Sequence, residues 1–356
     1  MKILHSTDLH LDTPFTGRSD EQVRYLRQAL RQVPGKLAAL CRREQCDLML
    51  LSGDLFDGLW TADSLNALRS ALEEAQVPVF ISPGNHDFCD ANSPYLTETW
   101  PKNVHIFTDP EIRSVALAEL DCRVYGAGYR SMDCGSLLKD FRAEGEELYH
   151  IGILHGDPTQ VNSPYCPVTA LQVRESALDY LALGHIHKSG SFRSGQTLCA
   201  WPGCPMGRGY DEQNVKGCYI VTIDTMAQAQ FLPLDTPRFY DHEIAAGSDA
   251  LSAIHTLLPA VGDDHFYRIT LTGEADPPDL PGLTAALSHF PNLELRDRTV
   301  PPKDLWGSAD ADSLEGVYFR LLKDAMEDAD EETRNTLTLA ARISRQILDG
   351  QEVVLP

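Results

Sequence analysis

The sequence has no two cysteines spaced as C-x-x-C, although nine cysteines are scattered over its 356 residues. An odd number of dispersed thiols argues against a disulfide framework and against a thiolate zinc site, and it favours reduced cysteines that pack as small apolar side chains. Cys89 follows a polar motif described below, so it is the one cysteine that we consider for metal or redox chemistry, with packing as its expected role.

Long apolar runs are also lacking. No run approaches the roughly 18 residues that a membrane-spanning helix requires. The start of the chain, MKILHSTD, reaches a histidine and an aspartate too soon for a secretory signal. These absences predict a cytoplasmic protein without a membrane segment.

Basic side chains are scarce relative to acidic ones. Thirty Lys and Arg residues stand against 52 Asp and Glu residues, which gives a net charge of −22. A chain this acidic has no general attraction for a polyanion. Any binding of nucleic acid must therefore depend on local features, such as bound cations or a basic partner.

The first part of the chain alternates apolar strands with helical patterns. KILHST, CDLMLLSGD and VPVFISPGNHD are predicted strands, and residues 20–43 and 62–75 between them are predicted helices. This rhythm predicts βαβ units with largely parallel pairing. Further apolar runs extend the region to about Asp235, where the proline-bearing stretch LDTPRF indicates a boundary.

Two smaller regions follow. Residues 239–300 alternate strand and helix patterns and predict a small α/β unit. Apolar residues then recur at helical spacing from Leu314 to Ala325 and from Leu337 to Ile347, which predicts a pair of terminal helices. We therefore expect domains at 1–235, 236–302 and 303–356.

Five predicted strands end in a polar motif. The motifs are Asp8-Leu9-His10, Gly53-Asp54-Leu55-Phe56-Asp57, Gly84-Asn85-His86-Asp87, His155-Gly156-Asp157 and Gly184-His185-Ile186-His187. A lone His-x-His is a weak signal, because exposed histidines near strand ends are common. Open α/β sheets place their sites where strands end, however, and all five motifs offer oxygen and imidazole ligands. We therefore expect His185 and His187 to bind metal.

The motif set D-x-H, G-D-x-x-D, G-N-H-D, H-G and G-H-x-H resembles that of the calcineurin-like metallophosphoesterases over residues 1 to about 230. HSTDLHLD, SGDLFD, the small α/β unit and the terminal helices are similar to those of bacterial DNA-repair exonucleases of the SbcD and YhaO type. The resemblance implies an α/β fold, namely a metallophosphoesterase α/β/β/α sandwich with a small α/β capping domain and a C-terminal helix pair.

The resemblance also implies two divalent metal ions. Asp54 is expected to bridge the two ions and therefore belongs to both ligand sets. The implied ligands of one ion are Asp8, His10, Asp54 and His187. Those of the other ion are Asp54, Asn85, His155 and His185. Two carboxylates leave surplus positive charge on two ions, which suits an anionic phosphodiester. The resemblance favours manganese, and the nitrogen and oxygen ligands also fit iron, zinc or magnesium.

Further residues acquire roles from the same resemblance. His86 is expected to stabilise or protonate the departing oxygen, and Asp57 matches the position that orients this histidine. The alternative for Asp57 is a loop carboxylate that caps the next helix. Arg208, in the loop WPGCPMGRG, either reaches a phosphate or is solvated in a turn. Three other carboxylates have less support for a role in the site: Asp12, Asp87 and Asp157. They are expected to cap helices or to form hydrogen bonds with neighbouring groups.

The implied function is phosphodiester hydrolysis by a DNA-repair exonuclease or endonuclease subunit. Its expected partners are DNA ends or single strands and an SMC-like coiled-coil ATPase. A homodimer is also possible on the sequence. The first alternative is a small-molecule or cyclic-nucleotide phosphodiesterase or a phosphatase. Phosphatases of this superfamily usually follow G-D-x-x-D with an arginine, and Gly58 stands there instead. The second alternative is a non-catalytic scaffold, although every ligand position is filled.

Overall fold

The structure, a computed structural model, describes residues 1–246, 249–275, 277–300 and 304–350. The strands are β1 Lys2–Ser6, β2 Leu48–Leu51, β3 Val79–Ile81, β4 Val104–Ile106, β5 Arg113–Leu117, β6 Cys122–Gly126, β7 Tyr149–His155, β8 Tyr180–Gly184, β9 Gly190–Ser194, β10 Thr197–Trp201, β11 Gly217–Ile223, β12 Ala227–Pro233, β13 Phe239–Ala245, β14 Phe266–Glu274 and β15 Leu293–Val300. The helices are α1 Asp20–Arg43, α2 Ala62–Glu74, α3 Pro94–Thr97, α4 Ala170–Glu175, α5 Ala250–His255, α6 Leu280–Ala286, α7 Leu314–Glu327 and α8 Glu331–Leu348, with a 3₁₀ turn at Ala118–Leu120.

Two six-stranded sheets form the first part of the chain. Their strand orders are β12-β11-β1-β2-β3-β4 and β5-β6-β7-β8-β10-β9. Strands β1 to β4 run parallel, and β11 pairs antiparallel with β1. In the second sheet β6, β7, β8 and β10 run parallel. The predicted βαβ pattern with largely parallel pairing is therefore confirmed.

Alternating side chains give the two sheets three apolar layers. Ile3 and Leu50 of the first sheet pack with Val124 and Ile153 of the second in a core between the sheets. The next residue along β1, Leu4, points to the other face and packs in the cluster that contains the apolar side of α1 and α2. The outer face of the second sheet packs on α4 and nearby loops. This is the expected α/β/β/α sandwich.

The predicted helix over residues 20–43 is confirmed as α1. Ser19 caps it with a capping box that includes Gln22, and its apolar side is buried along its length. Pro34 lies inside the helix without ending it.

The chain divides into two compact units. Unit 1 comprises 1–242, 261–268 and 287–294, and unit 2 comprises 243–260, 269–286 and 295–356. A three-stranded sheet has the order β13-β14-β15. The division at 1–235, 236–302 and 303–356 stays a prediction, and its second boundary lies outside the described residues.

The two terminal helices are confirmed, and they leave apolar side chains open. Phe319 of α7 is buried against Ala341 of α8. Along another side of α7, Leu314 is 87% exposed and Leu321 is 64% exposed. Their spacing of seven residues places both on one face of the helix. Among the described residues, no helix is both long and apolar enough to cross a membrane.

Candidate metal centre

The turns that follow β1, β2, β3, β7 and β8 bring the predicted site residues to one place. The backbone N–H of Asp8 donates to the carbonyl of Gly53 at 3.0 Å, and that of His10 donates to the carbonyl of Asp54 at 2.9 Å. The N–H of His185, which follows β8 in the second sheet, donates to the Asp8 carboxylate at 3.1 Å. The site is therefore built jointly by the edges of both sheets.

Several of these residues adopt a left-handed backbone conformation. The φ angles of Asp8, His10, Asp54 and His185 are 50°, 47°, 51° and 92°. Such angles are uncommon for residues with a side chain and cluster at functional sites. The backbone at Gly84 packs directly against the Asp54 carboxylate. A side chain would not fit there, since a Cβ at position 84 would lie 2.2 Å from Oδ1 of Asp54.

One half of the site contains Asp8, His10 and His187. The Nε2 atoms of His10 and His187 lie 3.2 Å apart, and Nε2 of His187 lies 3.7 Å from Oδ1 of Asp8. On its other side, Nδ1 of His187 lies 2.6 Å from Oε1 of Glu212. With Nδ1–H of His187 donating to this carboxylate, the lone pair of Nε2 faces the other two residues.

The other half contains Asp54, Asn85, His155 and His185. Nδ1 of His155 donates to the carbonyl of Ser52 at 2.9 Å, which leaves its Nε2 facing Oδ1 of Asn85 at 3.0 Å and Oδ2 of Asp54 at 3.3 Å. Nδ1 of His185 lies 3.2 Å from the same Asn85 oxygen. A carboxylate oxygen, an amide oxygen and two imidazole nitrogens thus converge in this half of the site.

The donor chemistry of this cluster fits divalent cations. Ligand atoms of Asp8, His10 and His187 lie within 4.8 Å of one another, as do those of Asp8, Asp54 and His155. Most of these side chains are buried, so facing acceptor atoms without a cation between them would be costly. The structure brings together all seven predicted ligands, Asp8, His10, Asp54, Asn85, His155, His185 and His187, whose role as ligands stays a prediction.

The pKa values of two histidines in the site are also consistent with cation binding. Burial opposes the charged form of His155, but the adjacent Asp54 carboxylate outweighs it and raises the pKa of His155 to about 9. Burial, together with the charge on His155, lowers the pKa of His185 to about 4. The pocket therefore attracts positive charge next to Asp54 and keeps the His185 imidazole neutral, which is the form that binds metal.

His86 and Asp57 form the predicted pair at the edge of the centre. Nδ1 of His86 lies 3.1 Å from Oδ1 of Asp57, and a hydrogen bond to this carboxylate raises the pKa of His86. The same Asp57 oxygen lies 3.3 Å from Nδ1 of His10, outside hydrogen-bond geometry. Ligand atoms of His10, Asp54 and His86 also lie within 4.8 Å of one another. Geometry alone therefore permits His86 to act as a ligand as well.

Three carboxylates with weaker claims have local structural roles. Asp12 accepts hydrogen bonds from Thr61, the residue before α2. Asp87 accepts from the backbone N–H groups of Leu55 and Gly84 at 2.7 Å each. Asp157 accepts from the Thr159 backbone. The expectation that these three residues cap and brace the chain is confirmed.

Sequence reasoning missed Glu212. This buried residue contacts His187, as described above, and its other oxygen, Oε2, accepts from the backbone N–H of Arg208 at 2.9 Å. The Arg208 guanidinium lies 2.7 Å from Oε1 of the same carboxylate, and its side chain is only 18% exposed. Burial opposes ionisation of Glu212, but hydrogen bonds from His187 and Arg208 outweigh it and lower the pKa of Glu212. The alternative of a solvated Arg208 is therefore wrong.

The loop that carries Arg208 and Glu212 is held by an aromatic contact. The guanidinium of Arg268 lies 4.1 Å from the centre of the Tyr210 ring, and that of Arg18 lies 5.4 Å from it. Cation–π contacts of this kind stabilise the ring position. Tyr210 lies between Arg208 and Glu212 in the sequence, so its anchoring helps fix both side chains behind His187.

A comparison with protein families decides the class of protein. Residues 1–189 match the model of the calcineurin-like phosphoesterases. The chain belongs to this family. The candidate metal-binding groups described above lie within this matched region.

Two curated relatives of this phosphoesterase come from Bacillus subtilis (strain 168). The chain is 32% identical over 240 residues to the metallophosphoesterase YhaO, a match that covers 63% of this chain and 57% of the relative. It is 26% identical over 253 residues to the SbcD component of the nuclease SbcCD, with 60% of this chain and 63% of the relative covered. Each match thus spans less than two thirds of the relative. Among solved structures, a dimetal phosphatase from Danio rerio aligns with a TM-score of 0.44 at 12% identity over 65% of this chain and 96% of that chain.

Proposed function

We propose that this phosphoesterase is a dinuclear-metal nuclease subunit that hydrolyses DNA phosphodiesters and works with an SMC-like ATPase. The observation that carries the dinuclear part is the convergence of seven oxygen and imidazole ligands from both sheets. Asp54 lies between the two halves of this cluster, with His10 on one side at 3.8 Å and His155 on the other at 3.3 Å. Asp54 would therefore be shared by the two ligand sets, and manganese is the metal that we would supply first.

Each residue has a defined task in this proposal. When bound, divalent ions would supply an activated water and stabilise charge on the phosphoryl oxygens. Asp8, Asp54 and the imidazoles hold the ions in place, while Glu212 orients His187 from behind. His86 is exposed at the edge of the centre and is oriented by Asp57, so it is placed to give a proton to the departing oxygen.

One observation argues against a phosphatase-type monoester site, and a second supports an anionic substrate in general. Gly58 has φ of 78°, so an arginine at this position would be strained, and the loop is not built for a phosphate-gripping side chain there. On the opposite flank, Lys188 and Lys216 line a cavity of about 420 Å³ that includes His187. These cations, with the bound metal ions, supply local positive potential that an acidic chain otherwise lacks.

The direct test is substrate comparison with Mn²⁺-loaded protein. End-labelled DNA, cyclic nucleotides and phosphopeptides would be offered at equal phosphoester concentration, with His185→Ala as the metal-deficient control. We expect DNA to be hydrolysed with the highest kcat/KM. Hydrolysis of phosphopeptides or cyclic nucleotides in preference to DNA would replace the nuclease proposal with the alternative phosphatase or phosphodiesterase.

The partner proposal depends on the open face of α7. Leu314, Val317, Tyr318 and Leu321 recur at helical spacing and remain exposed, and acidic residues follow at 327–332. An apolar stripe with an acidic end suits a partner helix that is apolar on one side and basic at its flank. The similarity to the SbcD component of SbcCD favours a coiled-coil ATPase as that partner.

A further inference from the structure

A cavity next to His86 has no assigned role in the site described above. It holds about 310 Å³, and His86 forms part of its wall. Its apolar lining includes Phe56, Leu59, Trp60 and Phe88. The cavity is therefore continuous with the catalytic edge of the metal centre, yet it differs from that centre in chemistry.

Two aromatic rings of the lining are held by the core. Trp60 is half-buried and packs against the cluster on the outer face of the first sheet. Phe88 is also half-buried and packs against the cluster on the outer face of the second sheet. Both residues thus contact the core and also line the cavity, so a flat ligand can contact their rings with little loss of side-chain entropy.

Apart from His86, which the cavity shares with the metal centre, the described lining residues include no cationic side chain that would bind an anionic ligand. No Lys or Arg lines this cavity among the described residues, and its acidic members are Asp87 and Asp90. The Asp87 carboxylate is occupied by backbone N–H groups and by the hydroxyl of Tyr95, so it holds the local backbone rather than a ligand. A phosphate belongs on the lysine flank near His187, whereas a neutral, planar group fits here. Asp90 and Asn92 are exposed at the rim and can accept from or donate to the edge of such a group.

We propose that this cavity binds the nucleobase of the nucleotide that leaves on cleavage. The inference rests on the proposed nuclease function and specifies where its substrate lies. His86 touches both the cavity and the metal centre: its backbone N–H donates to Oδ1 of Asp54 at 2.9 Å, while its ring lines the cavity. A phosphodiester whose departing oxygen reaches His86 therefore has its leaving nucleoside beside Trp60 and Phe88, and its base can stack there whatever its identity.

The test compares two labelled DNA substrates that differ only at the leaving nucleotide, which carries either a base or an abasic tetrahydrofuran. Wild-type, Mn²⁺-loaded protein should cleave the base-bearing substrate with a kcat/KM about 5- to 150-fold higher, the range that stacking of one base provides. Trp60→Ala and Phe88→Ala should each bring this ratio towards one. Trp60→Phe should retain most of it, and Leu148→Ala, at an exposed site outside the cavity, should leave it unchanged.

The outcomes separate this inference from the proposed function. Equal kcat/KM for the two substrates in the wild type, or a ratio that both alanine variants leave intact, would overturn the nucleobase site while DNA cleavage stands. Failure to cleave either DNA, by protein that still hydrolyses methyl p-nitrophenyl phosphate, would overturn the nuclease proposal itself. If an alanine variant does not fold, as judged by its metal content and melting temperature, the wild-type ratio and Trp60→Phe still decide the question.

Discussion

Replacing Glu212 by glutamine tests whether a carboxylate behind His187 strengthens metal binding. Oε1 of Glu212 lies 2.6 Å from Nδ1 of His187, and Nε2 of the same ring faces Asp8 and His10. An outer carboxylate of this kind fixes the ring orientation and raises its basicity. Glutamine keeps the shape of the side chain but removes its charge, and it leaves the buried Arg208 cation without a counter-ion beside the metal centre.

The expected size of the effect follows from this arrangement. Loss of an outer partner of a metal-binding histidine typically lowers metal affinity by about 10- to 100-fold. This corresponds to about 1.4 to 2.7 kcal/mol of binding free energy. Both consequences of the substitution, a less basic imidazole and an unbalanced Arg208, weaken cation binding. We therefore expect one of two Mn²⁺ binding events to weaken by this factor and the other to change little.

In the assay, metal-free protein is titrated with Mn²⁺. Binding is monitored by calorimetry and by the electron paramagnetic resonance signal of free Mn²⁺. Asp211→Asn is the matched control, because it removes the same charge from the adjacent, exposed residue of the same loop. Glu212→Gln protein that melts like the wild type and binds both ions with undiminished affinity would refute the reasoning. An equal loss in Asp211→Asn would show that only the net charge of the loop matters.

Three further outcomes are expected. Elemental analysis of metal-loaded protein should give two ions per chain, and a value of one with all seven ligand residues intact would contradict the dinuclear arrangement. His86→Ala should lose most turnover yet keep its metal content, whereas His185→Ala should lose both; equal metal loss would make His86 a ligand, as its distance to His10 and Asp54 permits. Leu321→Asp should abolish co-purification with the ATPase without changing Mn²⁺-dependent hydrolysis of a small diester, while Met132→Asp, exposed elsewhere on the chain, should retain the partner.

Much of the site could be predicted because its residues directly follow strands. Parallel strands bring their carboxyl ends to one edge, so the motifs at Asp8, Asp54 and Asn85, which follow strands of one sheet, were expected to meet once the strands were assigned. His155 and His185 follow strands of the second sheet, and they meet the other motifs only because the two sheets pack together. The helix from residue 20 to 43 was predictable for a similar reason, since its apolar periodicity outweighs the proline at position 34. In both cases local pattern and tertiary packing favour the same structure.

Glu212 shows what the sequence pattern could not reveal. It lies 25 residues beyond His187, in a loop without apolar periodicity, and its neighbour Asp211 offers the same functional group. Only the folded loop buries one of the two and exposes the other. The strand β9 was missed for a related reason: Gly190–Ser194 contains glycine and polar residues, and its pairing with β10 supplies the strand geometry that its composition does not favour.

The left-handed backbone at Asp8, His10, Asp54 and His185 has an evolutionary consequence. At each of these four positions glycine would relieve backbone strain of about 1 to 3 kcal/mol. The backbone conformation alone would therefore favour glycine at these positions, although the Asp8 and Asp54 carboxylates also accept hydrogen bonds from the backbone N–H groups of His185 and His86. Under the proposed function, the joint presence of the four side chains reflects selection for chemistry against the local backbone preference. A descendant that kept only a scaffolding task would be released from this opposition, and the same four positions are where its sequence should drift first.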